Sequence, residues 1–256
     1  ALLELILPAS GCSPANSFPQ VRVRNLGMDS LPAPRLRLVL NGQLLAVEQF
    51  SGQLAPTTEQ WFTFSTQLDF SLAGDYQVAV YPDSQYDGRP ENDSLFGSVR
   101  NTLLNQFPQI RNFEQATDFS PQPATSFALR RKLATAISAN RGPLRDADAA
   151  STGHYVMADG QFSQSGDTAS YVWDCLAFDP SVLNELRYYL HSRGQMQMWL
   201  QARRAGSWIT VDSVLQPLSQ APDARWQMRN HLINAQTDAF RWLFISTGDT
   251  TAYMAI

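Results

Sequence analysis

Three histidines, two cysteines and six tryptophans are the residues of this chain whose chemistry is worth weighing first. His154, His191 and His231 are far apart, and none sits in an H-E-x-x-H spacing or another pattern that would turn two imidazoles toward one metal ion. A hydrolytic triad needs a nucleophile on a strained turn, and the chain has no G-x-S-x-G elbow and no glycine-rich phosphate loop. Carboxylates are plentiful, but spacing gives no pair the facing position that glycoside hydrolysis requires. The expectation is therefore a chain without a catalytic centre.

The cysteines, Cys12 and Cys175, lack the C-x-x-C spacing of zinc or redox sites and are too few for a disulfide-rich scaffold. One bond between them, linking the two halves of the chain, is the alternative to a pair of small buried hydrophobes. Trp199, Trp208 and Trp226 are the candidate ligand-binding aromatics, because an exposed indole face can stack on a sugar ring. Trp208 and Trp226 stand near predicted turns. Trp199 falls on the outward phase of a strand whose Met196 and Met198 point inward. The competing reading is that an aromatic in a β-sandwich fills the core or covers an edge. Arg130-Arg131-Lys132 reads as a solvated edge strand, since charge on an edge discourages unwanted pairing.

The elements that must position these residues read as strands throughout. In the first hundred residues Val21 and Val23 alternate with Gln20, Arg22 and Arg24, and Leu36, Leu38 and Leu40 alternate with Arg35, Arg37 and Val39. The second run stops at Asn41-Gly42, the dipeptide suited to the positive φ angles of a two-residue hairpin turn, and a strand from Gln43 to Phe50 follows. Leu2 to Leu7, Phe62 to Phe64, Tyr76 to Val80 and Leu95 to Val99 bring the count to about seven, as in an immunoglobulin-like sandwich. Tyr76 opens a late strand, where such folds bond a phenol to nearby backbone, and is read as structural.

Pro108, Pro121 and Pro123 punctuate a new beginning, and the boundary is placed near Asn101. From Ser138 to Ser151 a polar stretch interrupted by Gly142-Pro143 reads as a surface loop. Strand signals resume at Tyr155 to Met157 and Ala169 to Trp173, then at Leu186 to Leu190 and Met196 to Ala202, with a hairpin turn expected at His191-Ser-Arg-Gly194. Trp208 to Val211, Trp226 to Leu232, Phe240 to Ile245 and Tyr253 to Ile256 complete a set that predicts a jelly-roll-type sandwich. The fold class is all-β: an immunoglobulin-like sandwich over 1–100 followed by a jelly-roll-type sandwich over 101–256.

Composition agrees with two packed modules. Hydrophobic residues make up 44% of the 256, and charged ones only 16%. The net charge of −4 and the lack of a basic face beyond the short Arg130-Arg131-Lys132 triplet argue against a nucleic-acid partner. No apolar run reaches the length of about 18 residues expected of a membrane span. The chain starts at Ala1 without a signal-type segment, so a targeting sequence, if one exists, lies outside it.

The wording of the first module resembles the CARDB-like group of bacterial surface-protein repeats. The resemblance is carried by Pro8-Ala-Ser-Gly-Cys12, Val21-Arg-Val-Arg-Asn25-Leu-Gly27, Asn41-Gly42, Phe50-Ser-Gly-Gln-Leu-Ala-Pro56, Gly74-Asp-Tyr76 and Glu91-Asn92-Asp93. The second module resembles the MAM-like jelly rolls of bacterial surface proteins and secreted peptidases, through Asn112-Phe113-Glu114, Gly153-His-Tyr155, Ala177-Phe178-Asp179 and Gly206-Ser-Trp208. Val211-Asp212, Phe240-Arg-Trp-Leu-Phe244 and Tyr253-Met-Ala-Ile256 continue it. The paired acids that follow the last Ala-Ile of such modules are missing, which leads to the expectation of a module truncated at its last strand, and the cysteines of animal MAM domains are also missing.

Together the resemblances imply a secreted or cell-surface, non-catalytic segment of a larger exported bacterial protein, in which the first module spaces and the second binds a glycan or a protein. The alternative is an accessory region of a secreted peptidase or glycosidase whose catalytic domain lies elsewhere. The implied partners are neighbouring domains of the same polypeptide and a surface glycan or protein, without nucleic acid or membrane insertion. No organic cofactor is implied. Calcium is a candidate, because Glu114 matches the place where some jelly rolls supply a ligand, and a late acidic residue next to the final strand, either beyond Ile256 or Asp249 itself, would complete it; a solvated Glu beside a strand end is the competing reading. A surface ligand is expected on the second module, around Gln161 to Thr168 or at Trp199.

Overall fold

The computed structural model describes residues 1–83, 94–115, 127, 129–134, 142–147, 153–215 and 221–256. The chain divides into two units, Ala1–Leu104 and Asn105–Ile256. Glu91 to Asp93, Pro121, Pro123 and most of the stretch from Ser138 to Ser151 lie outside the described residues.

The first unit faces a sheet of β1 (Leu2–Ile6), β2 (Gln20–Arg24) and β7 (Glu59–Thr63), in the order β1-β2-β7, against a four-stranded sheet. The latter runs β5 (Gln43–Gln49), β4 (Arg35–Leu40), β8 (Gly74–Pro82) and β9 (Leu95–Asn101), in that spatial order. Two short strands, β3 (Leu31–Pro32) and β6 (Gln53–Leu54), pair at the side. The alternation read from the sequence decides which face is buried: Val21, Leu38, Val78, Val80 and Val99 are each at most 1% exposed and form one core with Phe64 and Phe70. The Asn41-Gly42 turn takes φ of 50° and 80°, the left-handed pair that lets a two-residue loop follow the twist of its strands. Tyr76 donates its phenol hydrogen to the Leu72 carbonyl at 2.7 Å and packs edge-on against Phe70. This is the tyrosine corner expected of it.

The second unit is a two-sheet antiparallel sandwich of the jelly-roll type. One sheet has the order β10 (Leu129–Leu133), β11 (His154–Asp159), β18 (Tyr253–Ala255), β13 (Asn184–Arg193) and β16 (Gln227–Ile233). The other has β12 (Thr168–Trp173), β17 (Thr237–Ser246), β14 (Met196–Arg204) and β15 (Ser207–Val214). Inward residues of β14 and β17, Met196, Met198, Leu200, Phe240, Trp242 and Phe244, are at most 3% exposed. Tyr188 of β13 ties the sheets together by donating to Asp212 of β15 at 2.8 Å.

Two local expectations are corrected. The hairpin between β13 and β14 turns at Gly194-Gln195 instead of His191-Ser-Arg-Gly194, because β13 continues through Arg193 by pairing His191 to Arg193 with Tyr253 to Ala255. The polar stretch around Gly142 is not all surface: Gly142, Pro143 and Asp146 are buried, and Pro143 accepts a hydrogen bond from the Tyr155 phenol at 3.0 Å. Arg130 to Lys132 do lie on β10, an edge strand. Among the described residues no helix is long and apolar enough to cross a membrane.

Candidate functional site

One end of the second sandwich opens into a cleft of about 770 Å³, within the range of small-ligand pockets. Its deep wall is aromatic because two strands place rings at every second position on the same face: Tyr171 and Trp173 on β12, Phe240 and Trp242 on β17. Tyr188 and Trp226 add rings from the opposing sheet. At the lip Phe107 stacks on Phe178 with centroids 4.7 Å apart and planes 17° apart, and Phe113 meets Tyr171 edge-on at 5.4 Å. Glu114, His154, Asn184, Glu185, Arg111 and Arg187 are among the polar residues that line the cleft.

Glu114 is engaged on both sides. Oε1 accepts the His154 backbone N–H at 2.7 Å and Oε2 lies 2.9 Å from His154 Nδ1, while Arg131 donates to the Glu114 carbonyl. The His154 backbone bond and the imidazole beside it hold this carboxyl below the usual Glu range. The pair fixes the start of β11 to the segment that lips the cleft.

Asp249 closes the other end of the sandwich. Its Oδ2 accepts Gln195 N–H at 2.8 Å, and Oδ1 accepts both Thr251 N–H and Thr251 Oγ1–H, at 2.9 and 2.7 Å. The Gln195 bond foremost keeps its carboxyl below the ordinary Asp value. The Asp249 carbonyl packs so close to Gly160 that a Cβ there would come within 2.6 Å.

These positions separate the two residues weighed as partners for calcium. Glu114 bonds the first residue of β11, whereas Asp249 packs on Gly160, just beyond the last residue of the same strand. Six strand residues separate the two by roughly 20 Å, and an ion with ligands at about 2.3–2.6 Å cannot use both. Each carboxylate is moreover already surrounded by N–H and O–H donors, which suit an anion and not a cation. Glu114 and Asp249 do not fit a shared calcium site.

The three candidate tryptophans separate. Trp226 lines the cleft, donates Nε1–H to the Arg145 carbonyl at 2.8 Å and packs edge-on to Tyr155. Trp208 is stacked under guanidinium groups, with Arg241 at 4.4 Å and Arg203 at 5.7 Å from its centroid. Trp199 is half-buried on the outer face of its sheet between buried Met198 and Leu200, the phase read from the sequence. The segment Gln161 to Thr168 is stapled: Ser163 Oγ meets Ser246 Oγ at 2.6 Å and Gly166 N–H donates to the Ser246 carbonyl at 2.8 Å.

His191 is fully buried, stacked on Tyr253 and edge-on to Trp226, with Nδ1 3.2 Å from the Tyr253 phenol oxygen. Burial lowers its pKa to about 4 and raises that of the Tyr253 phenol to about 12. His231 lies 3.1 Å from Asp212 and His154 joins Glu114, so the structure brings no two histidines together as ligands. Neither Cys12 nor Cys175 is a free thiol. Sequence reasoning missed Tyr171, Trp173, Tyr188 and Trp242 as cleft residues. The signal was the paired aromatic spacing within β12 and β17, which by itself is indistinguishable from core.

No family model and no curated protein matches the sequence. Among solved structures, the CARDB domain of a Pyrococcus furiosus protein, crystallised with di-metal ions, aligns with 40% of this chain and 92% of its own at 22% identity and a TM-score of 0.34. A domain of a putative cell surface protein from Methanosarcina acetivorans aligns with 39% and 90% at 17% identity and a TM-score of 0.33. Tandem CBM51 modules of a family 98 glycoside hydrolase from Streptococcus pneumoniae align with 98% and 81% at 8% identity and a TM-score of 0.32. At these identities and TM-scores no residue's role and no function is carried across from them.

Proposed function

We propose that the chain is a non-catalytic structural and adhesive segment of a larger exported bacterial protein. The first unit serves as a CARDB-like spacer, and the second, MAM-like unit holds a surface glycan or protein. The observation that carries this reading is the aromatic cleft. A concave site walled by Tyr171, Trp173, Phe240 and Trp242 offers contact area on a rigid frame, while two of its acidic lining residues, Glu114 and Glu185, are committed to His154 and Arg187. Asp249, the other carboxylate singled out by sequence, is spent on a loop. What such a frame provides is binding energy from rings and edges.

The test uses the whole chain against a panel of surface glycans and peptides by calorimetry, and against peptide, ester and glycoside substrates for turnover. Binding without turnover is expected. Phe107→Ala, which removes half of the stacked pair at the lip, should weaken a cleft ligand by about 1–2 kcal/mol while leaving the melting profile unchanged. Turnover abolished by one substitution in this chain would overturn the reading.

A further inference from the structure

The outer face of the sheet β12-β17-β14-β15 carries a second aromatic surface, separate from the cleft and of different chemistry. Strand register sets out its rows. Trp199 stands between Leu243 of β17 and Ser213 of β15; Gln201, two residues on, stands between Arg241 and Thr210; Arg203 stands opposite Trp208. Trp199 makes no ring–ring or cation–ring contact among the described residues, so its half-exposed indole is a platform not yet covered by another ring or cation.

The charges of this face are unequal. Arg203 is neutralised by Asp238, with Nε 2.7 Å from Oδ1. Arg241 is not: Nε and Nη2 both donate to the neutral Oε1 of Gln201, its Cζ lies 4.4 Å from the Trp208 ring centroid, and no carboxylate pairs with it among the described residues. A guanidinium held by a neutral amide and an aromatic ring keeps its full charge and a fixed orientation. That combination suits the planar, two-oxygen geometry of a carboxylate. Arg241 is the diagonal neighbour of Trp199 across the β14–β17 pair, so the two belong to one patch of the face.

The geometry points to an acidic oligosaccharide as the ligand of this face: a uronate ring stacks on Trp199 and its carboxylate pairs with Arg241. The inference rests on the glycan-binding reading of the second unit and names the class of glycan. Since the chain as a whole carries a net charge of −4, attraction of an anion here is local and not a general effect of charge.

The experiment is calorimetry on the full chain with oligomers of galacturonate, glucuronate and mannuronate, and with their neutral methyl esters. At least one acid is expected to bind about tenfold or more tightly than its ester, an advantage that fades as salt is raised. Arg241→Gln is expected to lower affinity for the acid to the level of the ester and to leave the ester unchanged. Trp199→Ala is expected to weaken both by about tenfold or more, and Trp199→Phe to restore most of the loss. Circular dichroism and melting temperature report the fold of each variant. Equal affinity of acids and esters, or an Arg241→Gln protein that still prefers the acid, overturns the acidic-glycan inference and spares the broader reading if binding still depends on Trp199. Absence of binding to every uronate and ester overturns this inference; absence of binding to the whole glycan and peptide panel as well overturns both.

Discussion

Asp249→Ala separates a loop clasp from a metal site. The substitution removes an acceptor for three hydrogen bonds, from Gln195 N–H, Thr251 N–H and Thr251 Oγ1–H, and so leaves the β17–β18 loop held to the β13–β14 hairpin by the Thr247 hydroxyl on the Gln195 carbonyl. Each such bond contributes about 1 kcal/mol net, more for a charged acceptor and less where water replaces it, giving about 2–3 kcal/mol in all. At about 2–4 °C per kcal/mol for a chain of this size, the second unit should melt about 5–10 °C lower. Asp249→Asn keeps one oxygen but turns an amide N–H toward a donor, and about half of the loss is expected. Tryptophan fluorescence follows this transition, because five of the six tryptophans belong to the second unit. The depressed pKa adds a signature: the contribution is present above the ordinary Asp value of 3.8 and is lost as pH falls through the lower folded value. The reasoning is refuted if Asp249→Ala melts with the parent, or if chelating calcium from the parent reproduces the loss.

Three further outcomes are expected. His191 has a folded pKa lowered from 6.5 to about 4, so the unfolded chain takes up the proton first; stability should fall by about 3 kcal/mol between pH 6.5 and 4, and His191→Phe should flatten that slope in urea unfolding. Tyr76→Phe should cost the first unit about 1–2 kcal/mol in the same assay, since it removes the bond to the Leu72 carbonyl and leaves the ring packed on Phe70. Cys12 and Cys175 are expected to form one disulfide, and intact mass with thiol labelling in denaturant checks it, two labelled thiols in unreduced protein ending the idea.

Much of the strand content was legible in sequence because period-two alternation is a local property of five to ten residues. Val21 and Val23, Leu36 and Leu38, and the inward Met196 and Met198 with outward Trp199 all show their faces without knowledge of their partners. Asn41-Gly42 and Tyr76 are legible for the same reason, since a turn and a corner are each completed within a few residues. The site was less legible. Glu114 meets His154 40 residues away and Asp249 meets Gln195 54 residues away, and only sheet order decides that they stand at opposite ends of β11. The aromatic cleft likewise needs β12, β13 and β17 brought together from distant parts of the chain. Sequence by itself determined which residues face inward on each strand and that the chain is all-β. Tertiary structure decided which ends meet, and therefore that one carboxylate braces a cleft and the other fastens a loop, because strand pairing joins residues whose separation along the chain leaves no local pattern.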